Sequence, residues 1–296
     1  MKKQIRGTAT LLLATLIWGS AFVSQSIGMD HIGPFTFQAV RCFLAVIGLL
    51  PVILITDKFK QDGKTFFSRW ADPKLWKAGL ICGIPLFLAC NLQQVGLMDT
   101  DAGKSGFLTA MYIVIVPIIG IFLKRKPSVL IPVSVAMAVA GLYFLSGMGV
   151  SKVNIGDLLT LGCAFMFAVQ ITFIDIFAPS VDALRLNTIQ SLVCAVLSTL
   201  VMFFTETPTL DGIGQAFLPL AHAGFLSMGA AYALQILGQK DLEPTTAALI
   251  MSLESVFAVL FAILLLHETM TAKEILGCCL IFASVILSQI PIKKKA

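Results

Sequence analysis

Glu254 is the residue in this chain best placed to do chemistry. It stands inside DLEPTTAALIMSLESVFAVLFAILLLHE, residues 241–268, whose centre is apolar for long enough to cross a bilayer. A carboxylate near the middle of such a span costs about 2.5–3.5 kcal/mol on insertion scales, so it needs a partner, a proton or a water-filled cavity. Pro244 opens the helix, which puts Glu254 about 15 Å deep at about 1.5 Å per residue. Two roles fit: a site that takes a proton or a substrate ammonium, or an acid neutralised by a structural partner. Arg41, roughly 10 Å below the outer end of its own span, is within reach as that partner. It could equally snorkel to the outer headgroups or hold a substrate carboxylate. If both residues face one cavity, they offer opposite charges at nearby depths, which suits a zwitterion such as an amino acid.

Amides form a second group of candidates: Asn91, Gln93, Gln94, Gln170, Gln190 and Gln235, with Gln25 near the outer end of the first span. Unpaired amides in hydrocarbon are unfavourable, so these side chains should face protein or water, either contacting substrate or bonding between helices. Asn91 and Gln94 share a helix face, whereas Gln93 points about 100° away from Gln94. Trp18, Tyr112 and Tyr232 are candidates to wall a cavity for an apolar side chain; a helix contact with the hydroxyl satisfied is the other reading of a tyrosine. His222 reads as a packing or interfacial histidine before a proton relay, and His267-Glu268 as a helix end or gate. The seven cysteines all fall in apolar runs without metal-ligand spacing and read as small packing residues. Gly103, Gly106, Ala247 and Ala248 permit close helix approach, and Pro85 and Pro117 are candidate kinks.

These residues must be positioned by membrane-spanning helices. The 296 residues are 57% hydrophobic and only 12% charged, against about one quarter charged in soluble domains, and mean hydropathy is +0.92. The apolar runs are continuous rather than alternating, so the expected fold is all-α and polytopic. Ten spans are predicted, near 7–28, 34–56, 76–97, 102–123, 128–147, 156–177, 184–205, 217–238, 245–266 and 272–291. The first is read as an uncleaved helix rather than a signal peptide. The connection 57–75 mixes Lys58, Lys60, Lys64, Arg69 and Lys74 with Phe66, Phe67 and Trp70, and is expected to lie along the headgroups. With the N-terminus inside, inner segments hold 17 Lys and Arg against 3 outside. That bias predicts both termini in the cytoplasm and an even number of spans. The net charge of +5 sits at one membrane face and does not indicate nucleic acid.

An internal repeat adds a constraint. At an offset of 142, Gln93 matches Gln235, Gly96 matches Gly238, Asp99 matches Asp241, and Leu145-Ser146 matches Leu287-Ser288. Tyr112 aligns with Glu254. Five spans per half would start the second half, 150–296, on the opposite side of the membrane from the first, 1–149. Such inverted repeats build alternating-access transporters with a site between the halves.

Four pieces carry a family resemblance: WGSAF at 18–22, Arg41 early in span two, GLMDTDAGKSGFLTAMYIVIVPIIGIFLKRKPS at 96–128, and SLESVFAVLFAILLLHETMTAKEILG at 252–277. Together they resemble the drug/metabolite transporter superfamily, in particular its EamA-type ten-helix permeases. The resemblance implies two five-helix inverted repeats around a central cavity. It also implies that spans 1, 3, 4, 6, 8 and 9 line the cavity, with 5 and 10 further out, and that small metabolites or amino acids are exported. One departure bears on the bend of span nine: the family often has proline directly after the acid there, and this chain has Ser255.

The expected function is a secondary transporter of the cell (inner) membrane, exporting small metabolites or amino acids, with protons as a candidate coupling ion. The expected partners are a small-molecule substrate and membrane lipid, with a homodimer open and no nucleic acid. No cofactor is expected, since the nucleotide-binding pattern G-x-x-x-x-G-K-[ST] does not occur. The competing classes are a membrane-embedded enzyme and a non-transporting sensor or assembly protein. The dispersed histidines, His31, His222 and His267, argue against the enzyme, and the near absence of extramembrane domains argues against the sensor.

Overall fold

The computed structural model describes residues 2–60, 63–100, 102–125, 129–145, 154–266 and 271–290. Its described elements are all helical. Ten rods follow in order: α1 (Lys2–Met29), α2 (Pro34–Lys58), α3 (Pro73–Gly96), α4 (Ala102–Thr109 continuing as Tyr112–Phe122), α5 (Leu130–Leu145), α6 (Ile155–Phe177), α7 (Ala183–Thr205), α8 (Phe217–Gln239), α9 (Pro244–Met251 continuing as Leu253–Leu266) and α10 (Ala272–Ser288). Eight of these are long and apolar enough to cross a membrane, and α5 is a shorter apolar helix. Exposed Leu13, Ile47, Phe203, Phe204 and Ile286 stud the outer surface, as expected of side chains that face lipid.

Local chemistry explains the helix ends. Pro34, Pro73 and Pro244 each open a helix, where the missing N–H is no loss. Asn154 with Asp157, and Thr271 with Glu274, form capping boxes at α6 and α10. α3 runs unbroken through Pro85. α4 and α9 are both interrupted just before a candidate residue, at Ala110–Met111 and at Ser252. In α4 the backbone tightens to i→i−3 bonds (Ile113 N to Ala110 O, 3.0 Å), and Pro117 removes the N–H that would have bonded Ile113. In α9 the Ser252 hydroxyl donates to Leu249 O at 2.7 Å, and Ser255 N bonds Ser252 O at 3.2 Å. A serine bonded back to its own helix thus accompanies the break, three residues before Ser255, where the related pattern has proline.

α8 holds a ten-residue π-helical segment, His222–Ala231. Such segments leave backbone carbonyls misaligned and are common at functional sites. Here the Asn187 amide on α7 donates to Met228 O at 3.0 Å and Gly229 O at 2.8 Å, meeting that need from outside.

The packing pairs α1 with α8 and α9, and α6 with α3 and α4. It also pairs α2 with α8, α7 with α3, α2 with α7, and α5 with α10. Each contact keeps its counterpart when the first five helices are exchanged for the last five. Glycines make the closest approaches: a Cβ at Gly277 would lie 2.6 Å from Gly141 O, and one at Gly238 3.0 Å from Gly7 O.

The face that holds the N-terminus is tied by charge. Gln4 reaches Gln289 at 2.7 Å, Arg6 pairs with Asp241 at 2.7 Å, and Arg125 with Asp175 at 2.6 Å. The Arg6 hydrogen bond, together with its charge, holds the Asp241 carboxyl below its usual range. Arg185 is only 1% exposed; it ion-pairs with Asp57 and stacks over Phe66 and Trp70 at 5.8 and 5.3 Å. The short helix Phe66–Trp70 is therefore pinned to α7 through Trp70, while Phe67 stays 81% exposed. The connection expected along the headgroups is in part a lid over a buried arginine.

Candidate functional site

The breaks in α4 and α9, the C-terminal half of α1 and the second half of α8 surround one central cavity. Its free core is about 50 Å³, which is room for water but not for a metabolite. Its walls carry Trp18, Gln25, Arg41, Gln93, Tyr112 and Ser227, together with Tyr232, Gln235 and Glu254. Phe22, Phe167, Ile171 and Met251 supply the apolar part.

Eight of the residues singled out from sequence meet here: Trp18, Gln25, Arg41, Gln93, Tyr112, Tyr232, Gln235 and Glu254. Trp18 and Tyr232 stand edge to face, centroids 5.0 Å apart. Tyr112 and Glu254 line this cavity together. Arg41, 3% exposed, donates to Gln25 Oε1 at 2.8 Å and lies 5.7 Å from the Phe37 ring centre. Its Nε has no partner, and neither does Trp18 Nε1 or Gln235 Oε1. Arg41 forms no ion pair with Glu254, although the two line the same space. The pairing that their depths allow is replaced by the nearer amide of Gln25.

Asn91, Gln94, Gln170 and Gln190 lie off the cavity wall. Asn91 turns to α7 and donates to Ser198 Oγ at 2.9 Å. Gln94 is fully buried without a hydrogen-bond partner. Gln170 stands behind Gln235. The helix register that puts Asn91 and Gln94 on one face turns Gln93 into the cavity instead, opposite its repeat partner Gln235. Ser227 also joins the wall, a residue that the sequence pattern did not single out. α2 contributes through Arg41, beyond the six lining spans that the resemblance implies. His222 bridges α8 to α1 through Ser20 at 3.1 Å and Ser24 at 2.9 Å, outside the cavity wall. His267 and Glu268 lie outside the described residues.

A second cavity of about 560 Å³ opens on the N-terminal face at the ends of α4, α6 and α9. Arg125, Asp175, Lys240, Asp241 and Glu243 line it. Ile171 lines the central cavity and its neighbour Thr172 lines this vestibule, so both spaces border α6.

A bundle of apolar membrane helices around a small polar cavity, with a charged vestibule near by, is the architecture of a polytopic membrane transporter. The sequence comparisons name the family: the chain belongs to the EamA-like transporter family, which matches it twice, over residues 5–147 and 154–289. An Archaeoglobus fulgidus protein named as an uncharacterized transporter is 34% identical over 291 residues, covering 96% of this chain and 86% of that one. The Bacillus subtilis protein named uncharacterized transporter YoaV is 23% identical over 291 residues, covering 96% and 97%. A crystal structure superposes with a TM-score of 0.79 at 18% identity, covering 96% of both chains, which bears on the fold alone.

Proposed function

We propose that this transporter exports small metabolites or amino acids across the cell membrane through the central cavity. Glu254 couples export to proton entry or holds a substrate ammonium. The observation that carries this reading is the pair of opposite charges, Arg41 and Glu254, that line one cavity without pairing to each other. Two such groups left available suit a solute with its own carboxylate and ammonium. The aromatic and aliphatic wall suits an apolar side chain between them.

The two halves act as inverted repeats whose relative rocking closes the vestibule on one face and opens the cavity on the other. The exchange-symmetric helix contacts support this, and so does the small free core, which describes a narrow state. Both termini lie in the cytoplasm, in keeping with the 17-to-3 bias of positive charge. Cells overexpressing the chain should accumulate at least one amino acid or small amphipathic metabolite in the medium relative to cells with empty vector. A broad metabolite panel showing no difference would remove the export reading.

A further inference from the structure

The orientation of Gln235 is set by a relay of amides that begins at the π-helical segment. The carbonyls of Met228 and Gly229 only accept, so Asn187 must present its Nδ2 to them, at 3.0 and 2.8 Å. Its Oδ1 is thereby turned to Gln190, whose Nε2 donates to it at 2.9 Å. Gln190 Oε1 then accepts from Gln170 Nε2 at 3.4 Å, and Gln170 Oε1 accepts from Gln235 Nε2 at 3.3 Å. Asn187, Gln190 and Gln170 are fully buried and Gln235 is 2% exposed, so bulk solvent does not compete for these bonds. Each amide has one way round once the first is fixed. The last free atom is Gln235 Oε1, buried, unpartnered and on the cavity wall.

We infer that Gln235 is a specificity residue whose Oε1 accepts a hydrogen bond from an N–H of the solute, and that Gln170, Gln190 and Asn187 are positioning residues that hold it as an acceptor. The inference rests on the transport reading above and deepens it, because it makes the cavity select solutes with an N–H donor over analogues that lack one. A site built around a buried acceptor rejects the donor-less ligand because its own polar atom is then left unpaired.

The probes are leucine, whose side chain fits the apolar wall, and N,N,N-trimethyl-leucine, which has the same charges but no N–H. Both are titrated against the purified full chain by displacement of labelled leucine. The wild type should prefer leucine. Gln235→Met, similar in shape, should cut that preference about tenfold, the worth of one charge-assisted hydrogen bond. Gln170→Met leaves Gln235 in place but free to turn, and should also lower the preference, which keeps the test open if Gln235→Met does not fold. Unchanged preference in Gln235→Met with leucine binding intact overturns the inference and leaves export untouched. Failure of the wild type to bind leucine also overturns it, while the export reading stands or falls by the metabolite panel.

Discussion

Glu254→Gln is expected to abolish proton-driven accumulation while leaving the fold intact. Glutamine keeps the size and polarity but cannot carry a proton on and off. One pH unit is worth about 1.36 kcal/mol per proton, so a one-for-one exchange supports about a tenfold solute gradient. In liposomes holding purified protein, the wild type should build that gradient per unit of imposed pH difference and the variant should reach a ratio of about one. The depth of Glu254 and its place on the cavity wall support this expectation. Equal gradients in the two proteins would make Glu254 structural.

Arg185→Leu should have the second large effect, on stability rather than on flux chemistry. The guanidinium is 1% exposed and ties Asp57 at the end of α2 to α7 beneath Phe66 and Trp70. Removing one partner of a buried pair leaves the other uncompensated, at about 3–5 kcal/mol. The low end is expected, because Lys60 and Arg69 still neighbour Asp57, at 3.4 and 3.8 Å. Thermal unfolding in detergent should show the loss, and Asp57→Ala combined with Arg185→Leu should cost less than the two changes added. An unchanged melting temperature would show that the short helix 66–70 and its arginine do not hold α2 to α7.

Much of this architecture is legible in the sequence because a bilayer leaves few options. Continuous apolar runs become helices, and each predicted span has a rod at its place. Hydropathy does not report helix breaks, however. The interruptions at Ala110–Met111 and Ser252 depend on a proline several residues onward and on a serine bonded back to its own helix. The π segment of α8 depends on Asn187 from another helix, and no local pattern announces it. The site was read in part for the same reason. Glu254 and Arg41 stand out because charge is rare at such depth. Among the amides, composition cannot tell the wall from the layer behind it. Gln93 faces the cavity while Asn91 and Gln94 do not, a difference of helix rotation that only packing fixes. Arg185 counts in the sequence only as one of the inner cations, and its burial arises from Phe66 and Trp70 folding back over it.

Blocking the cavity after folding tests the central claim most directly. Ser227 is 4% exposed and sits on the cavity wall, and five of the seven native cysteines are buried. Ser227→Cys protein in liposomes would be treated with a bulky thiol reagent, with treated wild type as control, and followed by tracer flux of the solute that cells export. The account predicts saturable flux in both proteins before treatment and loss of flux only in the treated Ser227→Cys protein. Flux that persists once the introduced thiol is fully labelled would place the path elsewhere and contradict it.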